Sequence, residues 1–271
     1  MNSSDAFLRA ELVLLGAGPG DPELLTVKAW KVLGRADVIL YDHLANRALL
    51  ELAPAGCECI CVGKEPYGLA TPQEVIHALI AEKASGGGVI VRLKGGDPFI
   101  FGRGFEEVLV ARELGMKVTY IPGITSMQTS GLCGIPLTHR GVSDGIWMLT
   151  GTKQDGALSA DLRLAMKSRS TVVIYMGMKK LREIADTYLA EGLGEVPAAI
   201  IQHGSLAHQR MAVGVAAALP AMAEEYRLAH PAVIVIGEVV AVGRGGGQPA
   251  AQSLTSESIP VLNSFKNSVS F

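Results

Sequence analysis

The sequence predicts two α/β domains in one chain, and three observations carry that expectation. Short Val/Ile-rich runs alternate with stretches of helical pattern. Most of the 32 glycines fall where an apolar run ends, as tight strand-to-helix turns require, rather than in a low-complexity block. The alternation also breaks once, after Ile121, and resumes at Gly145.

In the first half, "ELVLLG" (11–16), "DVILY" (37–41), "ECICVG" (58–63), "GVIVRLK" (88–94) and "KVTYI" (117–121) read as strands. Between them "PELLTVKAWKVLG", "LANRALLELA", "TPQEVIHALIAEKASGG" and "FEEVLVARELG" read as helices. The third has a start signal: Thr71 as N-cap, Pro72 in the first helical position and Glu74 completing a capping box. Such alternation builds a mostly parallel sheet that takes ligands at the carboxyl ends of its strands.

Residues 121–144, with two Pro-containing turns and no strand, form a connector holding a short helix. A second α/β domain then spans 145–242. Its strands are "GIWMLTG" (145–151), "TVVIYMG" (171–177), "PAAIIQHG" (197–204), "QRMAVGV" (209–215) and "AVIVIGEV" (232–239), in a more mixed order. The tail 243–271, rich in Gly, Ser and polar residues, reads as flexible.

Composition narrows the function. Hydrophobic residues make up 49% of the chain and charged ones 18%, which supports a large core without disulfides or metals. A net charge of −2 and the lack of any Lys/Arg tract argue against nucleic acid. No apolar stretch reaches about eighteen residues, so no membrane span or secretory leader is expected, and the chain reads as cytoplasmic. "CECIC" sets Cys57, Cys59 and Cys61 on one strand face, but the spacing is not that of a zinc knuckle, so no metal is expected.

Two glycine-rich turns carry the chemistry. "LLGAGPGDPELLT" lacks the G-x-G-x-x-G spacing, and Asp21 stands at the helix entrance, where a pyrophosphate is poorly served. It is either a tight turn or a close backbone approach to an uncharged or cationic ligand. "RLKGGDPFIFGRGFEE" is more telling. Gly95 and Gly96 strip the backbone where a strand ends. Asp97 offers an acceptor to an ammonium or ribose, or else caps the next turn. Arg103 sits between two glycines, a costly context for an arginine without a task.

"LLGAGPGDPELLT", "YDHL", "VGK", "TPQEVI", "RLKGGDPFIFGRGFEE", "PGITS", "GIPLTHRG" and "YMGM" occur in an order that resembles the uroporphyrinogen-III C-methyltransferases of the tetrapyrrole methylase class. The resemblance covers roughly residues 11–240. It implies two α/β domains around a cleft that takes S-adenosylmethionine, in a homodimer and without metal. It puts cofactor contacts on Pro19, Gly95, Gly96, Asp97, Ile100, Thr125, Ser126, Met176 and Gly204. It implies transfer of methyl groups to C-2 and C-7 of uroporphyrinogen III, giving precorrin-2, with S-adenosylhomocysteine as the other product.

For catalysis it implies an acid/base pair at Asp42 and Lys64, and Arg103 could equally steer the proton transfer. Each of the pair follows a strand, so each could face a ligand or be a solvated strand end. Arg47, Glu106, His139 and Arg140 would meet the substrate's carboxylates and pyrrole N–H groups. The chain departs from the family pattern at His43, where arginine is common, and at Thr152, where histidine is usual. Two other readings stand beside this one: a later precorrin methyltransferase of cobalamin synthesis, and a non-enzymatic tetrapyrrole-binding protein. Sirohaem, cobalamin and haem d1 are all open as end products.

Overall fold

The computed structural model describes residues 7–63 and 71–242. The chain folds as two compact units, Met1–Thr129 and Ser130–Phe271, so the expected connector is shared between them.

The first unit is built on five strands: β1 (Ala10–Gly16), β2 (Val38–Tyr41), β3 (Glu58–Cys61), β4 (Gly88–Lys94) and β5 (Lys117–Ile121). They form one sheet in the order β3-β2-β4-β1-β5, parallel throughout. Alternation along β1 sends Val13 and Leu15 to one face and Leu12 and Leu14 to the other. The first face packs against Ala29, Val32 and Leu33 of α1 (Val27–Leu33) and against Leu49. The second packs against Ile76 and Ile80 of α2 (Gln73–Ala84) and Val108 and Ala111 of α3 (Gly104–Glu113).

Local chemistry trims the expected helices. "PELLTVKAWKVLG" splits in two, because the Thr26 hydroxyl accepts from Ala29 N (3.2 Å) and starts α1 afresh, leaving Pro22–Leu24 as a 3-10 turn. Arg47–Leu52 is also 3-10. The Thr71 capping box does not form. Pro72 takes the N-cap position in an extended conformation (φ −56°, ψ 145°), and α2 has no side-chain cap.

The connections leaving β1 and β4, which are neighbours, run in opposite directions across the sheet. In open α/β sheets such a switch point opens a crevice at the strands' carboxyl ends. Both glycine-rich turns sit there.

The second unit begins within the short helix α4 (Thr129–Leu132). Its strands are β6 (Ile146–Thr150), β7 (Thr171–Tyr175), β8 (Pro197–Gln202), β9 (Arg210–Val215) and β10 (Ala232–Ile236), in the order β6-β7-β10-β8-β9. Only β6 and β7 pair in parallel; β10 runs antiparallel to β7 and β8, and β9 antiparallel to β8. Helices α5 (Leu162–Ala165), α6 (Leu181–Ala190) and α7 (Leu219–Glu225) bury Leu162, Ile184, Tyr188 and Leu219 against this sheet, and α8 (Val239–Val242) follows β10. Among the described residues no helix is long and apolar enough to cross a membrane.

Candidate functional site

At the carboxyl edge of the first sheet three chain segments nearly touch. Gly18 and Gly96 form an antiparallel bridge, Gly96 N donating to Gly18 O at 2.7 Å and Gly18 N to Gly96 O at 3.2 Å. A Cβ on Gly16 would lie 2.4 Å from Gly123 N and 2.6 Å from Gly96 O, so the backbones meet only because side chains are missing. Gly96 differs. Its φ is +65°, and a Cβ there would meet nothing nearer than 3.9 Å, the Thr125 Cα. Its bare side therefore opens on space, bordered by Thr125 and Ser126. Pro19 and Ile100 are half-buried beside this backbone ledge.

Asp97 does most of its work inside the fold. Oδ1 accepts from Phe99 N (2.8 Å), while Oδ2 accepts from the Tyr120 hydroxyl (2.7 Å) and Gly123 N (3.1 Å). It thus ties the Gly-Gly turn to the end of β5. Burial, followed by the hydrogen bond to Asp97, pushes the Tyr120 hydroxyl up to about 12. Phe99 stacks on Tyr120 with ring centres 4.2 Å apart.

Arg103 adopts a left-handed conformation (φ 56°) at the start of α3. Its guanidinium grips Glu106 with both arms, Nε to Oε1 at 2.8 Å and Nη2 to Oε2 at 2.7 Å. The pair is exposed. The hydrogen bond to Glu106 raises the Arg103 pKa, and the same bond lowers that of Glu106.

Asp42 follows β2 and is partly buried. Arg92 Nη2 donates to its Oδ1 at 2.5 Å, and Lys94 Nζ lies 3.5 Å from its Oδ2. Behind them Glu107, fully buried, accepts from Arg92 Nε (3.1 Å) and Lys94 Nζ (3.2 Å). Sequence reasoning missed Arg92, Lys94 and Glu107. The signal was two charges, two residues apart, at the end of an otherwise apolar central strand, followed by an acid on the helix face shared by Ala111. Arg47 is exposed at the head of the 3-10 turn after Asn46, whose amide donates to Gly20 O at 2.8 Å. Lys64 lies outside the described residues.

In the second unit β6, β7 and β8 point the same way. Met176 (φ 54°, 52% exposed) and Gly204 follow the carboxyl ends of β7 and β8 on one edge. Thr152 fixes this edge, its hydroxyl donating to Met176 O at 2.9 Å. The exposed turn with His139 and Arg140 lies at the other end of the same strands. There Ser143 N donates to His139 O, and the Ser143 hydroxyl sits 3.0 Å from that of Thr171, where β7 begins. Five residues of strand, about 17 Å, separate the two groups.

Of the three "CECIC" thiols, Cys59 and Cys61 fall on the edge strand β3 and are exposed, while Cys57 lies just before it and is half-buried. Burial, then the neighbouring Cys59, raises the Cys57 thiol above its usual value. Among the described residues no group of three or more His, Cys, Asp or Glu could hold a metal ion.

Known proteins agree with this architecture. The family model for tetrapyrrole (corrin/porphyrin) methylases matches residues 11–220. The siroheme synthase of Chromobacterium violaceum is 39% identical over 257 residues, covering 89% of this chain and 55% of that protein. That of Thiobacillus denitrificans is 41% identical over 234 residues, covering 86% of this chain and 49% of the relative. The chain thus spans about half the length of these curated relatives. A uroporphyrin-III C-methyltransferase from Thermus thermophilus, solved with S-adenyl homocysteine, matches with a TM-score of 0.75 at 38% identity, over 86% of this chain and 100% of that one. A cobalt precorrin-4 methyltransferase, 21% identical with a TM-score of 0.75, shares the fold. The chain belongs to the tetrapyrrole methylases.

Proposed function

We propose that this chain transfers methyl groups from S-adenosylmethionine to C-2 and C-7 of uroporphyrinogen III, yielding precorrin-2, and that it acts as a cytoplasmic homodimer. The observation that supports this most is the bare ledge at Gly96. It offers backbone and space, without the helix-entrance amides a phosphate would need, since Asp21 Oδ1 already takes Glu23 N. That suits a ligand carrying a sulfonium rather than a pyrophosphate.

Pro19, Gly95, Gly96, Ile100, Thr125 and Ser126 would hold the cofactor in the first unit; Met176 and Gly204 are the positions the family resemblance assigns to it in the second. Asp97 supports the ledge by fixing its turn. The bound cofactor supplies an electrophilic methyl group. The chain's own residues align the pyrrole carbon with it and manage the proton released from the macrocycle. Asp42, held on its inner side by Arg92 and Lys94, presents a fixed carboxylate for that proton, and Lys64 is the other member of the acid/base pair that the family resemblance assigns. Arg103 and Glu106 act as one unit toward the substrate's carboxylate rim or a pyrrole N–H. Arg47, His139 and Arg140 supply further charge-assisted contacts.

Incubation with uroporphyrinogen III and methyl-labelled cofactor tests the reading. Two labelled methyl groups per macrocycle are expected, and no incorporation with this substrate would overturn it.

A further inference from the structure

The cluster behind Asp42 is more elaborate than stability requires. Glu107 Oε1 receives three donors: Arg92 Nε at 3.1 Å, Lys94 Nζ at 3.2 Å and Gln73 Nε2 at 3.3 Å. Its Oε2 is buried without a hydrogen-bond partner. Buried ion networks of this kind are often matched or bettered in stability by apolar groups of similar volume. The arrangement is directional instead. Arg92 gives Nε to Glu107 and Nη1 to the carbonyls of Leu40 and Leu93, both at 3.2 Å, which leaves Nη2 for Asp42. A planar guanidinium tied on its other arms cannot swing, so the arm on Asp42 is fixed in place. Lys94 is shared between Glu107 and Asp42 in the same way.

We propose that Glu107 is a positioning residue for methyl transfer. By anchoring Arg92 and Lys94 it sets the orientation of the Asp42 carboxylate, although it meets neither substrate nor cofactor. The proposal rests on the reading of Asp42 as the group that handles the proton. In Glu107→Gln the shape is kept but a charge is lost, leaving two buried cations to share one carboxylate and draw it inward. A displacement near 1 Å is enough to cost about a hundredfold in rate.

The test is single-turnover methyl transfer by the whole chain, with cofactor titration and melting of each variant. Glu107→Gln is expected to slow turnover roughly 30–100-fold, with cofactor affinity and substrate KM within about threefold of the parent. Glu107→Gln with Lys94→Met restores the charge balance and should regain at least about tenfold over the single variant. A purely structural role would lower the melting temperature and the active fraction while leaving the turnover of the folded fraction within twofold of the parent, which would overturn the proposal. If Glu107→Gln turns over within twofold while Asp42→Asn is inactive, positioning by Glu107 is wrong and the reading of Asp42 stands. If Asp42→Asn turns over normally, both fall. Should Glu107→Gln fail to fold, Lys94→Met reads the same link from the other side. Slower turnover at unchanged cofactor affinity supports the proposal, and unchanged turnover overturns it.

Discussion

Gly16 and Gly96 show one residue type doing two jobs a few ångströms apart. At Gly16 the missing side chain lets three backbones touch, and any Cβ would collide with Gly123 and Gly96. At Gly96 the space is open, and the only internal cost of a side chain is the left-handed conformation, about 1–2 kcal/mol. Gly96→Ala should therefore fold, melt a few degrees lower, and bind S-adenosylhomocysteine at least about tenfold more weakly. Gly16→Ala should fail at folding. Calorimetry beside thermal melting separates the two; wild-type cofactor affinity in Gly96→Ala would remove the ledge from the cofactor site. Arg103→Lys probes the other end of the same stretch. Lysine keeps the charge but not the two-armed grip on Glu106. Turnover should fall by roughly one to two decades with cofactor affinity within threefold. Lost cofactor affinity with normal turnover at saturation would reverse the division of this loop into a cofactor end and a substrate end.

At the scale of elements, the edge formed by β1 and β5 is clamped through Glu11. Its Oε1 accepts from the Thr119 hydroxyl at 2.6 Å and lies 3.2 Å from Lys117 Nζ, while Arg35 approaches Oε2 at 3.4 Å. Burial raises the Glu11 carboxyl, but Thr119, Lys117 and Arg35 together bring it below its usual value. A folded pKa below the unfolded one gives stability that is complete above the unfolded carboxylate range and lost as pH falls through the folded value. Glu11→Gln should thus melt about 1–3 °C lower at pH 7, with the gap closing below about pH 4. A gap that persists at pH 3 would point to packing rather than charge. All ten strands were legible in the sequence, because Val/Ile runs bounded by glycine are distinctive. Their order was not, since β4 reaches its place between β2 and β1 through contacts remote in sequence. The Thr71 box failed because Pro72 itself took the cap position. Of the site, the glycine turns and Arg103 could be read from local spacing. The Arg92–Glu107 link could not, since a strand residue and a helix residue fifteen positions apart share a face only once the helix has docked.

For the whole molecule, the question is where the fold stops needing chain. The family match ends at residue 220, yet the second sheet is completed only by β10 (Ala232–Ile236), its fourth neighbour in sequence after β6. Beyond β10, Gly237 N donates to Pro197 O at 2.8 Å, pinning the start of β8, and Val239 and Val240 of α8 are fully buried. Two such valines contribute about 3–6 kcal/mol by burial alone. A chain ending at Val242 keeps all of these contacts and every residue assigned to the site. It should melt within about 2 °C of the full chain and methylate at an equal rate. A chain ending at Gly237 loses both valines and should melt roughly 10 °C lower or fail to accumulate. Thermal melting and methyl transfer on the two truncations decide the matter. If the chain ending at Val242 lost stability or turnover as severely as the shorter one, residues 243–271 would be part of the working fold.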